Sequence, residues 1–462
     1  MIEIVPRSAE RSIDMNEERT SIRSAALVLA LLLAICPILT SSSSAAEVLS
    51  LEDCIEIAIG NNPEIGIAEA SLKNAESGLL QSYGQLLPNL SVSFTTGRAF
   101  YGPSSIQYDA QGRPVQTEGF DYNSYSFNMN SSIVLFDGGR NINSIRSSMK
   151  RRDAVREEFR YTKDIVTALV INKYYNLVRA KMLLVVAEES LDQAKQNLDR
   201  SEALLEVGSA TRADVLKARV RHSNTRLSLI RARNAVAYAR EDLVSVLSVR
   251  DEQEVDVDTT MVIRFEEPDL DEEVGRALDN RPDLRSLELS KSAAQASVAA
   301  AKSGWWPSIG AGFNYGWSDR EMADDLNFFK DEYSWSIGAS ISLDLFDRFR
   351  TSSSVGVAKA DLRRIEYGLE KAKLDAIKEV KNLVFVINES KERIIVASET
   401  VEQAKEDVRL AEERYRVGAG TMLETIDAQV ALTQAKADVI EAKCDYLIAV
   451  ADLARATGRR VR

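Results

Sequence analysis

Tyr333, Ser334, Trp335, Ser336, Ile337, Gly338, Ala339, Ser340, Ile341, Ser342, Leu343, Asp344, Leu345: in this run every odd position is apolar and every even position is small or polar. A period of two places the two classes on opposite faces of a β-strand. The segment upstream does the same, with Ile309, Ala311, Phe313, Tyr315 and Trp317 opposed to Ser308, Gly310, Gly312, Asn314 and Ser318. Two more such strands lie far away in sequence. Leu90, Val92 and Phe94 oppose Ser91, Ser93 and Thr95; Tyr125, Phe127, Met129, Ile133 and Leu135 oppose Ser126, Asn128, Asn130 and Ser132. Each run is about the ~9–11 residues of a tilted membrane strand, with aromatics near the ends of its apolar face. A soluble sandwich needs a second sheet over that face, and four strands are too few to close a barrel with a lumen. Strands pooled from several protomers resolve both difficulties, because lipid tolerates no open sheet edge.

The strands sit within two copies of one plan. Asn62, Pro63, Glu64 matches Arg281, Pro282, Asp283, and Leu87, Pro88, Asn89 matches Trp306, Pro307, Ser308, both at an offset of 219 (282 − 63, 307 − 88). Leu135, Phe136, Asp137 matches Leu345, Phe346, Asp347, and Val207, Gly208 matches Val417, Gly418, now at an offset of 210. The first repeat is therefore expected over 47–267, with a β-hairpin at about 88–137 and a helical hairpin at about 138–249. The second is expected over 268–462, with its β-hairpin at about 307–347 and its helical hairpin at about 350–457.

Between the hairpins the period becomes helical. Asn62 to Leu86 and Asp283 to Trp305 are Ala-rich, with apolar residues three and four apart, as in Ile65, Ala68, Leu72, Ala75 and Leu79. Past Gly138 and Gly139, the stretch to Val207 contains no proline and no glycine, so a helix of about 100 Å is expected there. Thr351 to Val417 repeats it, and Thr211 to about Val249 and Thr421 to Ala456 are the returning partners. Their narrow apolar stripes require packing side by side as coiled coils. The fold class is thus mainly α with a membrane β-barrel portion.

Composition narrows the function. The 462 residues carry 58 basic and 70 acidic side chains, a net charge of −12, which disfavours nucleic-acid and anionic-lipid surfaces. The one histidine, His222, lies in a polar helical stretch, which removes multi-histidine metal sites. Ala25 to Leu39 is the one apolar run of membrane interest; Arg7, Arg11, Arg19 and Arg23 precede it, and Ser41 to Ala46 follow. That order reads as a signal peptide over 1–46, with Met15 an alternative start. Ile35 is too large for the position before a lipid-modified Cys36. The remaining Cys54 and Cys444 are too few for a disulfide framework. Arg459, Arg460 and Arg462 read as a frayed, solvated tail.

From Leu51 to Gly458 the chain resembles the TolC family of outer-membrane efflux channels. The resemblance rests on the duplicated Asn-x-Pro helix starts, the Leu-Pro and Trp-Pro turns into the strands, and the Leu-Phe-Asp exits. Above all it rests on Tyr415, Arg416, Val417, Gly418, Thr421, Glu424, Thr425, Ile426, Asp427 and Ala428. It implies a homotrimer whose pooled strands make a twelve-stranded barrel in outer-membrane lipid, continued by a periplasmic tunnel of helices. It implies a passive exit duct for small molecules or proteins, served by a periplasmic adaptor and an inner-membrane pump of RND or ABC type. Glu424 and Asp427, three apart on one helical face, match the family's acidic constriction, six carboxylates around a threefold axis that would favour cations. An acidic pair near a helix start is also favoured by the helix dipole alone. Tyr415 and Asp214 match a closing latch, and Gly208, Thr211, Gly418 and Thr421 mark the helix-turn tips. The positions matching a second latch hold Gly420 and Ala213, so that latch is absent, with Arg212 a conceivable substitute.

No catalytic constellation is found. Gly418 and Gly420 lack the third glycine of a dinucleotide loop, there is no P-loop, and neither a cofactor nor a metal site is implied. A secreted periplasmic coiled-coil scaffold or adhesin is the alternative from a different class. The exported substrate is left open, because the pump chooses it.

Overall fold

The computed structural model describes residues 48–103, 107–115, 119–249, 255–322 and 330–459. The expected signal peptide and Cys36 lie outside them, as do Arg460 and Arg462. β1 (Val48–Leu49) leads into α1 (Leu51–Asn61), whose start is a reciprocal capping box. Asp53 N–H donates to Ser50 Oγ (3.2 Å) and Ser50 N–H to Asp53 Oδ2 (3.0 Å). Asn62 ends α1 and caps α2 (Pro63–Gly84): its Oδ1 accepts from Glu64 N–H at 2.9 Å, and Pro63, with no N–H to satisfy, takes the first helical position.

The strands follow: β2 (Asn89–Tyr101), a small hairpin of β3 (Gln107–Tyr108) and β4 (Pro114–Val115), and β5 (Phe120–Phe136). Then come α3 (Arg140–Glu206), α4 (Arg212–Leu247) and the short β6 (Asp256–Val257), which pairs in parallel with β1. The second copy is α5 (Leu270–Asn280), α6 (Pro282–Lys302), β7 (Ser308–Asp319), β8 (Tyr333–Ser342), α7 (Arg350–Arg416) and α8 (Met422–Ala456). Both α3 and α7 are 67 residues long, about 100 Å at the α-helical rise.

The repeats interlock. α3 packs against α2, α4, α6 and α8, and α7 against α5, α6 and α8. One core joins Val170, Leu177, Leu243 and Leu247 to Cys54 and Ala58. A second joins Val380, Ile387, Tyr446 and Leu453 to Ala277. Nearer the α7–α8 turn the core thins to Ala404, Val408, Ala411, Ala428, Leu432 and Ala435, four of the six being alanines.

The four long strands form one antiparallel sheet in the order β2-β5-β7-β8, which joins the two repeats through β5 and β7 and leaves β2 and β8 as edges. Their alternation is as expected from sequence except at two points. Leu135 does not continue the apolar face of Ile133: a bulge skips it, and Phe136 pairs with Ile309 in its place. Leu343 and Leu345 do not belong to a strand, because Ser342 pairs with Ser308, the first residue of β7, and no partner lies beyond. Three of the strands are also longer than the ~9–11 residues expected, β2, β5 and β7 having 13, 17 and 12 residues, while β8 has 10. Arg459 is no frayed tail. Its guanidinium pairs with Glu273 at 3.2 Å, and Gly458, at φ +68°, lies so close to Asn280 that a Cβ would sit 2.8 Å from the Asn280 carbonyl oxygen.

Candidate functional site: two helix turns and a two-faced sheet

The two helix turns are built alike. In the first, Gly208 at φ +77° follows α3; its N–H donates to Leu205 O (3.0 Å) and Ser209 N–H to Leu204 O (2.8 Å), a Schellman motif. In the second, Gly418 at φ +75° donates to Tyr415 O (3.1 Å) and Ala419 to Arg414 O (2.8 Å). Thr211 and Thr421 then cap the returning helices, accepting from Asp214 N–H and Glu424 N–H at 3.2 Å each. All four tip residues therefore hold the turns. Val207 and Val417 protrude from them, each 73% exposed.

The turns differ in what their third helical residue does, and here the equivalence of Asp214 and Glu424 becomes visible. Asp214 completes a capping box, its Oδ2 accepting from Thr211 N–H (3.1 Å) and Thr211 Oγ1 (2.6 Å). Glu424 keeps only a long contact of this kind, its Oε1 accepting from Thr421 Oγ1 (3.4 Å), and turns its Oε2 toward Arg414, whose Nη2 lies 3.6 Å away and donates to Ala419 O at 3.3 Å. Arg414 was not singled out from sequence. The signal was the basic residue standing where the first copy has Leu204, ten positions before an acidic one and across a tight turn. Asp427 is exposed one turn further along α8. Gly420 is closely surrounded: a Cβ there would meet Arg414 Cβ at 3.1 Å and Glu424 Oε2 at 3.2 Å.

Tyr415 lies within electrostatic reach of Asp214. Burial raises its phenol above the ordinary range, the Asp214 charge adds to this, and Arg200 opposes it. The Asp214 carboxylate oxygen that caps Thr211 is the one engaged within the chain, so Tyr415 and Asp214 are neighbours here and the capping contact is Asp214's own.

The sheet presents two chemically distinct faces. On one, cross-strand pairs are Phe94 with Phe127, Phe313 with Ile337, Tyr315 with Trp335 and Trp317 with Tyr333. On the other, Asn314 donates to Asn130 Oδ1 (2.5 Å), the hydroxyls of Ser308 and Ser342 meet at 2.8 Å, and Asn89 Oδ1 accepts from Ser132 N–H (2.7 Å). At the loop end of this polar face stand three aromatics, Tyr101 at the end of β2 and Phe120 and Tyr122 at the start of β5.

Where the sheet meets the helices, a cleft of about 680 Å³ is lined by Asp137, Arg140, Trp306, Asp344 and Arg350. Gly138, at φ +69°, makes the first crossing: a Cβ would lie 2.7 Å from Ser303 O. In the second crossing Arg348 and Phe349 adopt φ of +56° and +63° without being glycines. Among the described residues no helix is long and apolar enough to cross a membrane.

A family model described as outer membrane efflux protein matches residues 54–248 and 274–459. The chain is 23% identical over 418 residues to a probable efflux pump outer membrane protein, TtgC, of Pseudomonas putida, covering 88% of this chain and 83% of that one. It is 23% identical over 414 residues to the alkaline protease secretion protein AprF of Pseudomonas aeruginosa, with coverages of 88% and 83%. The crystal structure of the Campylobacter jejuni CmeC outer membrane channel superposes with a TM-score of 0.77 at 19% identity, covering 88% of this chain and 85% of that one. This last likeness bears on the fold.

Proposed function

The chain belongs to the outer membrane efflux protein family, and from that premise we propose that three copies form a passive exit duct across the outer membrane. The observation that carries the trimer is the sheet: an apolar, aromatic-rich face suited to lipid, a polar face suited to water, and two edges, β2 and β8, with no neighbouring strand among the described residues. Joining β8 of one copy to β2 of the next around a threefold axis gives twelve strands and removes every edge. The two repeats, 47–267 and 268–462, would then contribute alternate hairpins to barrel and tunnel.

In this reading the helix turns close the periplasmic end. Glu424 and Asp427 from three copies form the acidic constriction, with Arg414 partly offsetting Glu424, and Tyr415 with Asp214 forms the latch. Gly420 has little room for the side chain a second latch would need. Val207 and Val417, held out by the turns, offer a periplasmic adaptor an apolar contact, and an inner-membrane pump supplies the energy. Relatives named for efflux pumps and for protease secretion share the architecture, so cargo is set by the pump and not by this chain. A soluble scaffold leaves the lipid-suited face unexplained. Fractionation and heated gel migration test the proposal: a heat-resistant trimer in the outer-membrane fraction is expected, and a soluble periplasmic rod would overturn it.

A further inference from the structure

We propose that Tyr101, Phe120 and Tyr122 form, at the outer mouth of the duct, a weak binding platform for planar aromatic cations, with the Arg320 guanidinium as its resident competitor. The inference rests on the exit-duct reading above. The strand register assigns the face: Tyr101 pairs with Phe120 and Ala99 with Tyr122, in phase with Thr95 and Ser126, Ser93 and Asn128, and Ser91 and Asn130. The three rings therefore stand on the water side. Elsewhere on that face the four strands carry Ser, Thr, Asn and Gly with Ala99 and Val134, and no aromatic. The sheet's other aromatics occupy the opposite face, where lipid accounts for them, and lipid does not account for these three.

Their geometry is that of a stack. The Tyr101 ring lies 5.1 Å from Phe120 at 15° and 5.8 Å from Tyr122 at 8°, and Phe120 lies 6.2 Å from Tyr122 at 17°. Tyr101 and Phe120 remain about half exposed. Arg320, just past β7 and in phase with Ser318, holds its guanidinium 4.7 Å from the Tyr122 centroid. A flat, delocalised cation already rests on the platform, and this identifies the class of molecule its electron-rich faces attract. A passing molecule of that class displaces Arg320, and the return of Arg320 displaces it in turn. An exit site must bind loosely enough to release its cargo, and this exchange provides for it.

Block of single purified trimers in planar bilayers tests the idea, with ethidium as the aromatic cation, tetrapropylammonium as an aliphatic cation and 2-naphthalenesulfonate as an aromatic anion, each added on the mouth side. Ethidium dwell times are expected to fall about fivefold in the Tyr101→Ser, Phe120→Ser, Tyr122→Ser triple variant and to rise about fivefold in Arg320→Gln, as expected for exposed cation–π contacts. The Tyr101→Phe, Tyr122→Phe double variant, which keeps the rings and assembles independently of the serine variant, should behave as wild type. Tetrapropylammonium should be indifferent to all of these changes. Unchanged ethidium dwell in a normally conducting triple variant, or in Arg320→Gln, overturns the platform. Naphthalenesulfonate block that is strong in the wild type and lost in Arg320→Gln overturns the ligand class. Wild-type trimers that conduct nothing overturn the duct reading instead.

Discussion

Arg414 and Glu424 face each other across one tight turn, and in the constriction proposed above that contact would set how acidic the periplasmic end of the duct is. Replacing Arg414 with Gln leaves Glu424 without its cationic neighbour. In the trimer the cation-over-anion preference, read from reversal potentials in a KCl gradient, should rise; Glu424→Gln should lower it, as should Asp427→Asn. A constriction indifferent to Arg414→Gln would mean that the pair at 3.6 Å is merely a surface contact. The latch is best probed by Tyr415→Phe, because Asp214→Ala also removes a capping box, a loss of about 1 kcal/mol. A double variant of Tyr415→Phe with Asp214→Ala that shows no leak conductance would sink the latch. Elsewhere a buried hydroxyl carries weight: Tyr446, 1% exposed, donates to Arg264 O (2.9 Å) and accepts from Glu266 N–H (2.7 Å). Tyr446→Phe orphans both groups and should cost about 1–3 kcal/mol in chemical denaturation. Glu424 and Asp427 were legible in sequence because their spacing lies along one helix. Arg414 was not, because its partner is reached only when the turn folds back.

Among the elements, the crossings from sheet to helix show unequal fitness in the two repeats. The first uses Gly138 and Gly139 at positive φ, and the second forces Arg348 and Phe349 into the same region. Arg348→Gly should relieve about 1 kcal/mol of backbone strain and raise the temperature at which the trimer dissociates, although glycine's greater unfolded-state freedom offsets part of the gain. The sheet makes a sharper prediction about its faces. Ile337 and Ser336 are adjacent in β8 but point to opposite sides. Ile337→Arg places a cation in lipid at about 2–4 kcal/mol near the midplane, whereas Ser336→Arg places it in water. The yield of heat-resistant trimer in outer-membrane fractions should fall for the first and hold for the second; equal yields would refute the facial assignment. Alternation alone revealed these strands, yet it misplaced Leu135, because a bulge shifts phase without altering the composition of the run.

Across the whole molecule, the second repeat is held together by buried charge as well as by an apolar core. Arg281, 6% exposed, pairs with Asp283 (2.9 Å) and Glu379 (2.6 Å), and Arg455 also binds Glu379. Burial pushes the Glu379 carboxyl up, but its bonds to Arg281 and Arg455 outweigh that and hold it below its ordinary 4.5. A depressed carboxyl contributes stability above its ordinary pKa and loses it as pH falls through the folded value. The trimer's dissociation temperature should therefore drop below about pH 4.5. Glu379→Gln, already weaker at neutral pH by about 2 kcal/mol, should show a flatter acid limb; equal stability at pH 7 would remove this cluster from the account. Sequence alone determined the duplication, the four strands, the helix lengths and the turn residues, because each is a local pattern of period, proline, glycine or cap. Only the tertiary structure decided that β5 and β7 join the repeats, that Arg459 docks on Glu273, that Arg414 meets Glu424, and that three aromatics share the face of the serines and asparagines. Those facts depend on register and on chain reversal, which bring together residues that no single local period links.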